Sequence, residues 1–118
     1  MGNKAIDPSE DLALARREAV MAVSAFCAAA MQRERLERRK PKITVKAAEA
    51  VARSDEGALA MLALGKAVSS NDAEKLRALA SRWLAAARTQ LARCRDLKTE
   101  LERDAAVSVE EAWERARH

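Results

Sequence analysis

The chain has no tyrosine and one histidine, His118, at the end of the sequence. Without a second histidine there is no Glu-x-x-His metal pair, no Ser-His or Cys-His base, and no zinc set of ordinary ligand type. The arginine that helical ribonucleases place a few residues before their histidine is missing too, since residues 111–113 are Glu, Ala and Trp. Gly occurs three times and Pro twice, so no Gly-rich phosphate loop is present. β-branched and aromatic residues are too few for a sheet protein.

Cysteine is equally sparse. Cys27 and Cys94 form no CxxC pair and lie in apolar stretches, where they read as small buried hydrophobes with free thiols. A bridge between them requires their helices to place them opposite each other. Arg93 and Arg95 flank Cys94 and would lower a thiol pKa, but the apolar stripe turns the Cys94 side chain away from both. The apolar run from Val20 to Met31, interrupted by Ser24, spans 12 residues. A membrane span needs about 20, so a buried helix segment and no membrane contact are expected. No leader is read at the N-terminus, and Ile6 stands where a myristoylation signal requires Ser or Thr. A reducing cytoplasm is therefore the expected setting. No metal or cofactor is expected.

What the chain does have is alanine, 28 of 118 residues, with much Leu, Glu and Arg. These residues lose little entropy in a helix, so the composition predicts an all-α protein. One domain over residues 1–118 is expected at this length. Residues 1–6 have no pattern and are expected to be disordered.

Asp7-Pro8-Ser9-Glu10 is a helix start, with Asp7 as N-cap and Pro8 at the first helical position. The helix it opens is expected to run to about Arg39, with Leu12, Ala15, Ala19, Val23, Phe26 and Ala30 inward and Val20, Cys27 and Met31 beside them. Pro41 stops it. Thr44 caps a short helix to Arg53, with Ala48, Val51 and Ala52 inward. A third follows from about Glu56 to Val68, lined by Leu59, Leu62, Ala63 and the stem of Lys66. Gly65 either weakens that helix or marks a close crossing. Asn71 and Glu74 form the next capping box.

The longest uninterrupted stretch then runs from Asp72 to about Asp104. Leu76, Ala80, Trp83, Ala87, Leu91, Cys94, Leu97 and Leu101 recur at close to 3.6 residues per step, and Leu79 and Leu84 widen the stripe. Ser108-Val109-Glu110-Glu111 looks like a fresh capping box, so a short fifth helix to about Ala116 is expected, docking through Val109 and Trp113. The architecture expected is an elongated four- to five-helix bundle, with long helices at about 8–39 and 72–104 and a short-helix hairpin between them.

Length sharpens this. A 30-residue helix is about 45 Å long, whereas a compact chain of this size has a radius of gyration of about 13–14 Å. The long helices must project, or a second copy must cover them. An apolar stripe favours the second, and two-fold dimers are the commonest oligomers. Leu76, Leu79, Trp83, Leu84, Leu91, Leu97 and Leu101 are the candidate interaction stripe, for self-association and for a further protein partner.

Charge supplies the other candidate. Residues 31–46 carry Arg33, Arg35, Arg38, Arg39, Lys40, Lys42 and Lys46 against Glu34 and Glu37, a net +5 in a chain of net +4. Such a cluster suits phosphate contacts and hence nucleic acid, by counterion release. Stacking on single strands would need aromatics, and Phe26, Trp83 and Trp113 read as core. A helix-turn-helix laid over residues 44–64 would read bases with Ala, Leu and Met, which offer no base-edge donors. Glu100/Asp104 and Glu110/Glu114 lie beside Arg and Lys and read as solvated helix faces. The expectation is a non-enzymatic interaction module (adaptor, small chaperone or assembly factor), with nucleic-acid binding through 33–46 as the alternative. The Ala- and Arg-rich coding points to a bacterial or mobile-element source.

Overall fold

The N-cap signature at Asp7 forms as read. In a computed structural model describing residues 7–117, the Asp7 carboxylate accepts the Ser9 N–H at 2.9 Å and the Ser9 hydroxyl at 3.0 Å. The expected disorder of residues 1–6 lies outside the described residues, as does His118. Helix α1 covers Pro8–Glu37, α2 Val45–Arg53, α3 Asp55–Ser69 and α4 Ala73–Arg117. No strand is present among the described residues, and no helix there is long and apolar enough to cross a membrane.

The end of α1 comes two residues earlier than Arg39. Arg39 adopts φ 55°, its N–H donates to Leu36 O at 3.1 Å, and the Lys40 N–H donates to Arg35 O at 3.0 Å. This pair of bonds is a Schellman stop, formed here without the glycine that usually occupies its left-handed position. Thr44 caps α2 through Ala47 N–H at 3.2 Å. Ser54 alone joins α2 to α3. Its hydroxyl donates to Val51 O at 2.6 Å and accepts the Gly57 N–H at 3.0 Å. A one-residue junction is not the three- to four-residue turn of a helix-turn-helix.

Contacts between the long helices advance together along both. Asp11 meets Arg77, Arg33 meets Gln90, and Arg39 meets Asp104. Helices α1 and α4 therefore run in the same direction, and α2 and α3 carry the chain back between them. Arg16 on α1 fastens the return, donating to Ala67 O at 3.3 Å and Ser70 O at 2.7 Å at the end of α3. Those carbonyls would otherwise lack partners at a helix C-terminus.

The core follows the α1 stripe. Ala15, Ala19, Val23, Phe26 and Ala30 are all buried, joined by Ala22, Ala29 and Leu36. Phe26 and Trp83 meet edge to face at its centre, with ring centroids 4.9 Å apart, the geometry that ring quadrupoles prefer. In α2 the buried residues are Ala47 and Val51, while Ala52 is exposed. In α3 they are Gly57, Ala60, Ala63 and Ala67, and Leu59 and Leu62 face outward with Lys66. Val51 and Ala63 are thus inward as expected and Ala48 is half-buried, while Ala52, Leu59, Leu62 and Lys66 are corrected to the outside. Ala60, Ala63 and Ala67 face α1 because α3 packs close to it, where a leucine would hold it away, and Gly57 lies against the end of α2. Gly65 marks no crossing, since nothing lies within 4 Å of where its Cβ would be.

Two expectations for the last helix are overturned. Its N-cap is Asp72 rather than Asn71, with the carboxylate accepting the N–H groups of Glu74 and Lys75 at 3.0 and 3.2 Å. Among the described residues there is no fifth helix, because α4 runs unbroken through 109–116. The Ser108 hydroxyl donates back to Asp104 O at 3.0 Å, so it sits inside a continuous helix instead of capping a new one, and Ala105 and Ala106 carry the helix through. Val109 and Trp113 join no core cluster among the described residues and are 69% and 65% exposed. The molecule measures 78 × 39 × 17 Å with a radius of gyration of 20.5 Å, far above the compact value and elongated as expected.

Candidate interaction surfaces

The stripe on α4 divides into an inner and an outer part. Leu76, Trp83 and Leu97 are buried within the chain, together with Ala87 and Cys94. Leu79 and Leu101 are half-buried. Leu84 and Leu91 stand outside, 41% and 52% exposed. Helical geometry explains the division. Leu84 and Leu91 are seven residues apart and lie roughly a quarter turn from Trp83, on a flank that α1 borders without covering. Simple 3.6-residue periodicity placed both groups on one broad stripe.

On that flank α1 and α4 form an open apolar groove of about 480 Å³, lined by Met21, Ala22, Ala25, Ala80 and Leu84, with Glu18, Arg77 and Ser81 along its sides. Helices α2 and α3 pack on the other side of the long pair, so this groove is uncovered. Met21 is 59% exposed and Leu14, two turns earlier, 50%. A second hollow, between α3 and α4, is bordered by Phe26, Glu56, Leu59, Arg82, Trp83 and Gln90. Trp83 Nε1 is buried and has no hydrogen-bond acceptor among the described residues, which costs roughly 1–3 kcal/mol of desolvation.

The basic segment is brought together at the end of α1, but its arginines are engaged. Arg33 donates to Gln90 Oε1 at 2.6 Å and Glu37 at 3.0 Å. Arg35 donates to Gln32 and to Lys40 O, Arg38 pairs with Glu34 at 3.4 Å, and Arg39 pairs with Asp104 at 2.8 Å. Lys40, Lys42 and Lys46 are exposed, with no carboxylate within ion-pair distance among the described residues. Ile43 and Val45 lie exposed between them.

Both cysteines are free thiols, with Cys94 buried and Cys27 half-buried. Cys94 donates to Ala29 O at 3.6 Å. Burial pushes both thiols above their ordinary pKa, and at Cys94 the charges of Lys98, Arg33 and Arg35 only partly oppose this. The two arginines adjacent in sequence do not activate it. No group of three or more potential metal ligands occurs among the described residues.

The sequence reading missed the open groove, because Met21 and Ala25 fall outside the α1 stripe. The α4 flank itself was visible as the departure of Leu84 and Leu91 from Trp83. No protein-family model, curated protein or solved structure matches the chain.

Proposed function

We propose that the chain is a non-enzymatic helical interaction module, an adaptor, small chaperone or assembly factor, that self-associates through the outer flank of α4. The observation that carries this reading is the apolar surface outside the core on one side of the long pair, where Met21 and Leu84 border an uncovered groove and Leu91 stands exposed two turns beyond Leu84. Scattered exposed leucines are ordinary, whereas contiguous apolar patches mark partner surfaces. The raised pKa of both thiols and the exposed, arginine-paired carboxylates support a role without covalent or acid–base chemistry. Two free thiols suit a reducing cytoplasm. Sedimentation equilibrium at micromolar concentration tests the reading. A mass near twice the 12.9 kDa of one chain is expected, and a clean monomer removes self-association from it.

The second reading is nucleic-acid binding, favoured by Lys40, Lys42 and Lys46, which stand exposed and unpaired among the described residues. Against it, all four arginines of the segment are occupied within the chain. Binding to random duplex DNA at about 50 mM salt, where phosphate contacts are strong, supports this reading only if exchanging the three lysines for Gln abolishes it. No binding at that salt removes it.

A further inference from the structure

Helix α3 is apolar on nearly every side. Beyond Asp55 and Glu56 in its first turn, its only charged residue is Lys66. Ala60, Ala63 and Ala67 are buried, yet Leu59 and Leu62 remain 49% and 64% exposed. A helix with so little polar surface is ordinarily covered all round. On one flank the cover is missing, because α3 lies on α1 and scarcely touches α4.

The gap between α3 and α4 is a trench. It begins in a hollow of about 380 Å³ where α3 turns into α4, lined by Lys66, Ser69, Ser70, Lys75, Leu76 and Leu79. A small hollow of about 70 Å³ continues it past Leu62 and Ala63, sharing Lys66 and Leu79 with the first. The last hollow, of about 310 Å³, shares Leu59, Arg82 and Trp83 with the middle one and reaches Phe26, Ala86 and Gln90. From Lys75 to Gln90 the trench follows α4 for about 22 Å at 1.5 Å per residue.

Charge is uneven along it. Lys66, Lys75 and Arg82 are exposed, and among the described residues none has a carboxylate within ion-pair distance. Glu56, at the far end, is the one acid in the lining. Near the first hollow the Asp72 carboxylate is occupied by the Glu74 and Lys75 N–H groups. The Ala67 and Ser70 carbonyls, which would repel an anion, are held by Arg16. The trench is therefore cationic at its Lys66–Lys75 end and apolar toward Phe26 and Trp83. An apolar cleft of this size between helices, with a few placed polar groups, is the usual form of a small-molecule site.

We propose that the trench binds one long-chain fatty acid, with its carboxylate between Lys66 and Lys75 and its chain over Leu79, Leu62 and Leu59 toward Trp83. The match is one of charge at the first end and of apolar surface along the rest. The lysine stems lie on the apolar wall while their ammonium groups reach the carboxylate. The chain covers the two leucines that α3 leaves bare. This site lies on the opposite side of α4 from Leu84, so it does not depend on self-association.

Tryptophan emission and calorimetry test it. Trp113→Phe leaves Trp83 as the only tryptophan. In that variant, palmitate below its micelle concentration is expected to shift the Trp83 emission and to bind saturably, one molecule per chain. Adding Lys66→Gln/Lys75→Gln, at two exposed positions, is expected to weaken binding at least about tenfold with circular dichroism unchanged, since two charge-assisted contacts are lost. Adding Leu84→Glu, in the other groove, is expected to leave palmitate binding as it was. Absence of saturable binding overturns the proposal and leaves an acidic partner helix as the occupant that the same charges admit. Binding that ignores both lysines, or that Leu84→Glu removes, overturns it too, because the chain then lies elsewhere.

Discussion

Two glycines lie in α3, and replacing each with alanine is predicted to move stability in opposite directions. At Gly57 an added Cβ would lie 1.8 Å from Val51 O and 2.8 Å from Val51 C. Non-bonded carbon and oxygen approach to little less than 3 Å, so the first turn of α3 must retreat by more than about 1 Å from the end of α2. Both obstacles are backbone, and no side-chain rotation relieves them. Overpacking of this kind costs about 1–3 kcal/mol. The retreat also stretches the Gly57 N–H bond to the Ser54 hydroxyl, 3.0 Å long in the native helix, and a lost N-cap costs about 1 kcal/mol. Alanine's better helix propensity returns up to about 1 kcal/mol.

The net expectation for Gly57→Ala is a loss of about 2 kcal/mol. At Gly65 the new methyl meets nothing, so only the propensity gain of about 0.5–1 kcal/mol remains. Urea unfolding followed by circular dichroism, at one fixed protein concentration because association raises apparent stability, measures both. A Gly57→Ala variant as stable as the wild type refutes the close α2–α3 approach, and a Gly65→Ala variant that loses stability refutes the open setting of that position.

Other substitutions separate the core from the surface. Trp83→Ala removes a buried ring packed on Phe26 and is expected to cost about 3–5 kcal/mol in denaturant unfolding. Breaking the Arg39–Asp104 pair with Arg39→Gln is expected to change stability by less than about 1 kcal/mol, because both groups are exposed. Asp7 is held below its ordinary carboxyl pKa by the Ser9 N–H and hydroxyl. Its contribution to the start of α1 is therefore present at neutral pH and lost as pH falls through that depressed value. Amide exchange at Ser9 should rise with acidification relative to Asp7→Asn, which lacks the titration. Cys94 is expected to label slowly with a thiol reagent at pH 7 and quickly in urea; rapid native labelling of Cys94 contradicts its burial.

The sequence carried the helices better than their neighbours. Asp7, Pro8 and Thr44 mark helix starts through short-range chemistry, and the structure keeps each of them, whereas α1 stops at Glu37 through the turn at Arg39, ahead of Pro41. What periodicity does not carry is direction or closeness of approach. A stripe of apolar residues reads the same whether its partner runs parallel or antiparallel, so the shared direction of α1 and α4 was not legible. In α3 the sets Leu59/Leu62/Lys66 and Ala60/Ala63/Ala67 have the same spacing. Hydrophobicity favours the first, but close packing on α1 admits only the second. At the end of α4, Ser108 has the same sequence signature as an N-cap and as a mid-helix residue bonded to the carbonyl four back. Two alanines before it decide for the continuous helix.

The central claim is that α4 has two working sides, an inner one that makes the core and an outer one that binds a second copy. The direct measurement is sedimentation velocity of Leu84→Glu/Leu91→Glu beside the wild type over a micromolar concentration series, with urea unfolding of both under conditions that keep them dissociated. Both leucines lie outside the core, so the account predicts a double variant that sediments as a monomer and unfolds within about 0.5 kcal/mol of the wild-type chain. A double variant that associates as the wild type does contradicts it.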